Sequence, residues 1–120
     1  MDKQPSARLD ALFAALADPT RRAVVAQLAE GPAPVSELAA PHDMALPSFL
    51  KHLDRLEKAG LVRSEKTGRV RVCTLHPEAL QAVETWIDRQ RRIWTGRLDR
   101  LDRLAQSLAD QSPSKPPETP

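Results

Sequence analysis

Between Leu80 and Leu108 apolar side chains return about every 3.5 residues, at Leu80, Val83, Ile87, Trp94, Leu98, Leu101, Ala105 and Leu108, with Arg91 taking one place in the stripe. That period belongs to a helix packed lengthwise along another helix. Pro77 is suited to open it, because proline is tolerated at the first helical position. Trp86, Ile93 and Leu104 lie beside the stripe and widen its apolar surface. A chain of 120 residues builds one domain around one core. Such a domain has too little surface to cover a helix of this length, and a second subunit is the simplest cover. The sequence therefore predicts a mainly α, homodimeric fold.

The remaining elements follow from periodicity and punctuation. Tyrosine is absent and phenylalanine and tryptophan occur twice each, so the core must be built from Leu, Val, Ile and Ala. A first helix is expected over 7–17, with Leu9, Leu12, Phe13 and Leu16 on one face. Asp18 followed by Pro19 is a helix start, a capping carboxylate before a proline. The second helix carries Ala23, Val24, Leu28 and Ala29 and ends at Gly31, after which Pro32 and Pro34 keep the connector extended. Ser36 is expected to cap a short third helix over 37–40, stopped by Pro41. A turn through His42 and Asp43 leads to a fourth helix over 46–60 that buries Phe49, Leu50, Leu53 and Leu56. A hairpin over 61–75 turns at Thr67-Gly68, with Val70 and Val72 on its apolar face and Arg69, Arg71 and Cys73 on the other. The expected organisation is a flexible 1–6, a folded domain over 7–109 with five helices and one β-hairpin, and a disordered proline-rich tail over 110–120.

Charge narrows the function. The net charge is only +2, but residues 51–71 hold seven basic side chains against three acidic, net +4 in one short segment. A concentrated positive field is the footprint of a nucleic-acid surface. The single cysteine excludes a disulfide framework and suits a reducing cytoplasm. No stretch reaches the roughly 20 apolar residues of a membrane span, and residues 1–6 lack the apolar core of a signal peptide. Glycine-rich phosphate loops, a nucleophile elbow and paired carboxylates are all missing, so the chain is not expected to be an enzyme. Cys73, His42, His52 and His76 are scattered, so neither a metal site nor a cofactor is expected. Cys73 is read as a small strand residue.

The order helix, helix, short helix, turn, helix, hairpin, long helix is a helix-turn-helix followed by a wing. A helix fits the major groove of double-stranded DNA, and a basic hairpin reaches neighbouring phosphates. On this geometry Ser48, Lys51, His52 and Arg55 of the fourth helix and Arg69 and Arg71 of the wing are the candidate DNA contacts. For Ser48 a local capping role, and for His52 an internal hydrogen bond, stand equally open.

Four stretches carry a family resemblance: Leu16-Ala17-Asp18-Pro19-Thr20-Arg21-Arg22, Val35-Ser36-Glu37-Leu38-Ala39, Lys51-His52-Leu53-Asp54-Arg55-Leu56-Glu57-Lys58-Ala59-Gly60-Leu61-Val62 and Gly68-Arg69-Val70-Arg71. In this order and spacing they resemble the arsenic-repressor (ArsR-type) family of bacterial winged-helix regulators, over roughly residues 9–108. The resemblance implies a homodimeric repressor of transcription at a palindromic operator. It also implies pairing through the first and last helices, which assigns Leu9, Leu12, Phe13, Trp94, Leu98, Leu101 and Leu108 to the dimer contact. Two positions depart from the family pattern. Where members commonly read Ser-Gln-Pro at the recognition-helix start and Ser before Lys-His-Leu, this chain has Ala45-Leu46-Pro47 and Leu50. Loss of the capping hydroxyl costs about 0.5–2 kcal/mol unless Asp43 replaces it. The rival readings are a winged-helix protein-interaction module and a redox- or metal-responsive member of the same family. Trp86 and Trp94 leave open an aromatic pocket for a small-molecule effector.

Overall fold

A computed structural model describes residues 5–111 of the chain. The expectations for residues 1–4 and 112–120 lie outside the described residues. The elements are α1 (Pro5–Leu16), α2 (Pro19–Ala29), β1 (Ala33–Pro34), α3 (Val35–Ala39), α4 (Leu46–Lys58), β2 (Val62–Thr67), β3 (Val70–Leu75) and α5 (Pro77–Gln111). This is the winged helix-turn-helix order, with α3 and α4 as the two helices of the motif and β2–β3 as the wing. Helix α1 takes in Pro5 and Ser6, and α5 takes in Asp110 and Gln111, so both termini of the folded segment extend past their expected limits.

The start of α2 is built as its sequence dictates. The Asp18 carboxylate accepts from the backbone N–H of Arg21 at 3.0 Å, with proline entering the first turn. That hydrogen bond holds the Asp18 carboxyl below its ordinary pKa, against an opposing push from burial. A carboxylate with a depressed native pKa stabilises the fold fully above its unfolded value and loses that contribution as pH falls through the native one. Asp18→Ala is thus expected to cost about 0.5–2 kcal/mol near neutral pH. The deficit relative to the parent should shrink below about pH 4, where the parent loses the same interaction. Urea titrations at neutral and acid pH check both halves.

Helix α3 starts two residues before its expected position. Its N-cap is Pro34 with no side-chain bond, and Ser36 lies within the helix. Helix α4 is also uncapped by any side chain; Ala45 is the N-cap, and Asp43 does not replace the missing hydroxyl. Its other end is tightly made. Gly60 takes φ +82°, the N–H of Gly60 bonds the Glu57 carbonyl at 3.0 Å, and that of Leu61 bonds the Leu56 carbonyl at 3.0 Å. This pair is the Schellman closure that a glycine after the last turn permits, and it turns the chain directly into the wing.

The hairpin is joined by a strand that was expected only as an extended connector. The sheet is antiparallel in the order β1-β3-β2, with Ala33 opposite Cys73 and Pro34 opposite Val72. Pro34 is tolerated because β1 is an edge strand. The wing's two faces are the reverse of the expected ones. Cys73 is fully buried and Val70 is half exposed, so Arg71, Cys73 and Leu75 line the inner face by the period of two. The turn is Gly68-Arg69, between the paired Thr67 and Val70, one residue later than the expected Thr67-Gly68, and Arg69 leaves the strand for the turn. Glycine at its first position (φ +65°) is what a two-residue hairpin turn of the II′ type requires.

The chain divides into two compact units between Glu84 and Thr85. The first holds a core of Leu12 and Ala15 from α1, Val24 and Leu28 from α2, Leu38 from α3 and Phe49, Leu53 and Leu56 from α4, closed by Leu61, Val62 and Cys73 of the sheet region and by Ala79 and Val83. Leu12 is wholly buried there. Its expected role in a dimer contact is corrected, since a side chain enclosed in its own core has no surface to offer a partner. Leu50 is also corrected, being exposed where it was expected in the buried stripe. The second unit is the remainder of α5. Ile93, Trp94, Leu98, Leu101, Leu104 and Leu108 are between 46 and 61 % exposed along it. Gly96 lies within this helix without interrupting it.

Candidate nucleic-acid interface

The outer face of α4 is what remains after Phe49, Leu53 and Leu56 turn inward. It carries Pro47, Leu50, Lys51, Asp54, Arg55 and Lys58 around a shallow open groove. Ser48, Lys51 and Arg55 are all exposed, and Ser48 sits in the first turn, where a recognition helix reaches deepest. Lys58 pairs with Asp54 one turn away at 2.9 Å. Such an exposed pair adds little stability, but it offsets one of the face's positive charges.

His52 makes the internal contact that was one of its two open readings. Its Nδ1 lies 2.9 Å from an Arg21 guanidinium nitrogen and 3.6 Å from the Asp18 carboxylate. An arginine only donates, so this Nδ1 accepts, and in the neutral ring the proton sits on Nε2. Of the two readings left open for His52, the structure takes the internal hydrogen bond at its Nδ1 edge.

Arg21 is the residue that sequence reasoning missed. It is 9 % exposed, the one buried charged residue among those described. Its Nε donates to the Ala15 carbonyl at 2.8 Å and another guanidinium nitrogen donates to the Ala14 carbonyl at 3.1 Å. These are last-turn carbonyls of α1, which have no partner within the helix and carry the negative end of its dipole. Arg22 does the same from outside, donating to the Leu16 carbonyl at 2.8 Å. One side chain of α2 therefore closes α1 and holds the recognition helix through His52. The only sequence signal was position: two arginines one turn behind a helix cap.

The wing arginines separate into two roles. Arg69 is exposed at the hairpin tip, where a phosphate can reach it. Arg71 is engaged inside the chain. One of its terminal nitrogens donates to both Glu57 carboxylate oxygens at 2.7 and 2.9 Å, and its Nε donates to the Ser64 hydroxyl at 2.9 Å. Ser64 in turn donates to Glu57. Arg71 is thus paired with a carboxylate of α4 while 40 % of its side chain stays exposed, so the expected phosphate contact would compete with this pair. The network ties the wing to the C-terminal half of the recognition helix and fixes one relative to the other.

Burial pushes the Cys73 thiol up, against a smaller downward pull from Arg71. A buried protonated thiol is a poor nucleophile and a poor metal ligand. Among the described residues no group of three or more His, Cys, Asp or Glu side chains is placed to hold a metal ion, and no helix is long and apolar enough to cross a membrane.

Comparison with known proteins places this geometry among regulators. A helix-turn-helix domain family matches residues 16–65, from the end of α1 into β2. The chain is 40 % identical over 103 residues to the HTH-type transcriptional regulator Rv2034 of Mycobacterium tuberculosis, covering 86 % of this chain and 94 % of that protein. The crystal structure of an ArsR family transcriptional regulator superposes with a TM-score of 0.73 at 53 % identity, over 79 % of this chain and 97 % of that one. The transcriptional repressor BigR of Xylella fastidiosa superposes with a TM-score of 0.56 at 25 % identity, over 67 % of this chain and 85 % of that one.

Proposed function

Because this chain belongs to the ArsR family of helix-turn-helix transcriptional regulators, and is a DNA-binding regulator on that ground, we propose that it acts as a homodimeric repressor at a palindromic operator. The observation that carries the proposal is the outer face of α4. It is free of core duties, positively charged at Lys51 and Arg55, and held in place at its middle by Arg21 through His52 and near its C-terminus by Arg71 and Ser64 through Glu57. Ser48, Lys51 and Arg55 enter the major groove; Arg69 grips phosphate from the wing tip; Arg71 and His52 position the elements that do so. Two such helices, one from each protomer, set the half-site spacing.

The dimer is formed by the exposed apolar stripe of α5, at Trp94, Leu98, Leu101 and Leu108; Leu9 and Phe13 of α1 are proposed as dimer contacts in their own right. A continuous apolar strip of this size is unusual on a monomer. The proposed site of action is the cytoplasm, on the nucleoid. The similarity to a named repressor supports repression, which a dimer seated across an operator achieves by occluding it.

Purified protein on operator and random duplexes at two salt concentrations tests the assignment of residues. Lys51→Ala and Arg55→Ala are expected to weaken operator binding more than random binding, since a bidentate base contact is worth about 1–3 kcal/mol of discrimination. Arg69→Ala is expected to weaken both alike and to flatten the slope of log affinity against log salt by about 0.9. If Arg69→Ala abolished discrimination while the helix variants kept it, the wing would be the reading element.

A further inference from the structure

The recognition helix exposes two leucines that its own core does not use. Leu46 is 54 % and Leu50 36 % exposed, whereas Phe49, Leu53 and Leu56 beside them are at most 1 % exposed. They are four residues apart, so they lie one turn apart on one flank of α4. Leu46 is the first residue of the helix, at the end that reaches base edges. The segment Ala45-Leu46-Pro47 offers no hydrogen-bonding side chain there. Lys51 and Arg55 follow on the adjoining flank, and their charge selects a polyanion rather than an apolar protein surface as the occupant. In the major groove, the one apolar group that a base presents is the 5-methyl of thymine.

From this juxtaposition we infer that Leu46 and Leu50 read thymine methyl groups, making hydrophobic contact a determinant of sequence preference in this protein. The inference rests on the DNA-binding reading above. It requires each half-site to carry at least one thymine opposite the start of α4, and it requires that removing the methyl alone, with base pairing intact, weakens the complex.

The test begins with selection of bound sequences from a random duplex pool by the intact chain. Each thymine of the selected operator is then replaced singly by uracil, which differs only in lacking the 5-methyl. Wild type is expected to lose about fourfold in affinity at one or two positions per half-site, the equivalent of one buried carbon at ~0.8 kcal/mol. The Leu46→Ala/Leu50→Ala variant is expected to bind the thymine and uracil operators equally. Its melting temperature should be unchanged, because neither side chain belongs to the core. Equal affinity of wild type for both operators at every position would overturn the inference, as would discrimination that survives in the double variant. Selection that enriches no sequence would overturn the DNA-binding reading itself, before any uracil duplex is made.

Discussion

Arg21→Ala is expected to lower the unfolding free energy by about 3 kcal/mol, a large effect for a residue outside the apolar core. The side chain serves three acceptors at once: the Ala14 and Ala15 carbonyls and the Nδ1 of His52. No buried side-chain nitrogen or oxygen among the described residues lacks a partner, so the parent chain starts from a satisfied state. Removing the guanidinium leaves the Ala15 carbonyl and His52 Nδ1 to recruit water into a packed junction, at about 1–3 kcal/mol for each that fails to do so, while the Ala14 carbonyl keeps the Ala17 N–H at 3.2 Å. Arg21→Lys keeps the charge near the C-terminus of α1 but has no planar fork, and it is expected to recover only part of the loss. Equilibrium urea unfolding checks this as a shift in midpoint with an unchanged slope. Operator affinity should fall as well, because α4 is held through His52. A loss below about 1 kcal/mol would mean that water replaces the fork readily.

The second large effect concerns assembly. Leu98→Glu/Leu101→Glu is expected to convert a dimer into a folded monomer and to weaken operator binding by about 10²–10⁴-fold. The magnitude is the advantage that linking two binding modules confers. The parent should scatter light as twice the 13.3 kDa chain mass at micromolar concentration, and the variant as a single chain. Both leucines are exposed, at 46 and 61 %, and neither belongs to the buried core cluster. Melting temperature should depend on protein concentration in the parent and not in the variant. A parent that is monomeric yet binds an operator with full affinity would contradict this arrangement.

Much of the fold was legible because local signals agreed with one another. The Asp18-Pro19 cap, the Gly60 stop, the Gly68 turn and the long apolar stripe each state a boundary or a face without reference to the rest of the chain. What failed depended on neighbours distant in sequence. Val70 and Val72 read as the buried face of the wing because valine suits a strand interior. The inner face instead follows Cys73, which is opposite Ala33 in a strand only two residues long. Arg71 read as a DNA contact because it is basic and lies on a wing. Its partner Glu57 is fourteen positions away on another element, and no periodicity shows that pairing. Leu50 read as core because it adjoins Phe49, but the rotation of α4 is set by Phe49, Leu53 and Leu56 together, which turns Leu50 out. Arg21 was invisible for the same reason: its value lies in carbonyls that only the α1–α2 junction brings to it.

For the candidate site, the sequence showed which elements carry the charges but not which charges are paired. Ser48, Lys51, Arg55 and Arg69 stand exposed on the two elements expected to meet DNA, while His52 and Arg71 are engaged within the chain. Both of these residues are polar groups with an internal partner, and both join the proposed readers to the scaffold. A sequence counts charges; it does not show which of them are already neutralised.

The most direct test of the central claim is a hydroxyl-radical footprint of the intact protein on its selected operator. Two protected half-sites related by a two-fold axis are expected, with centres about 10 base pairs or a multiple of it apart. A single half-site without a symmetry mate, or no protection at concentrations that saturate binding, would contradict the claim.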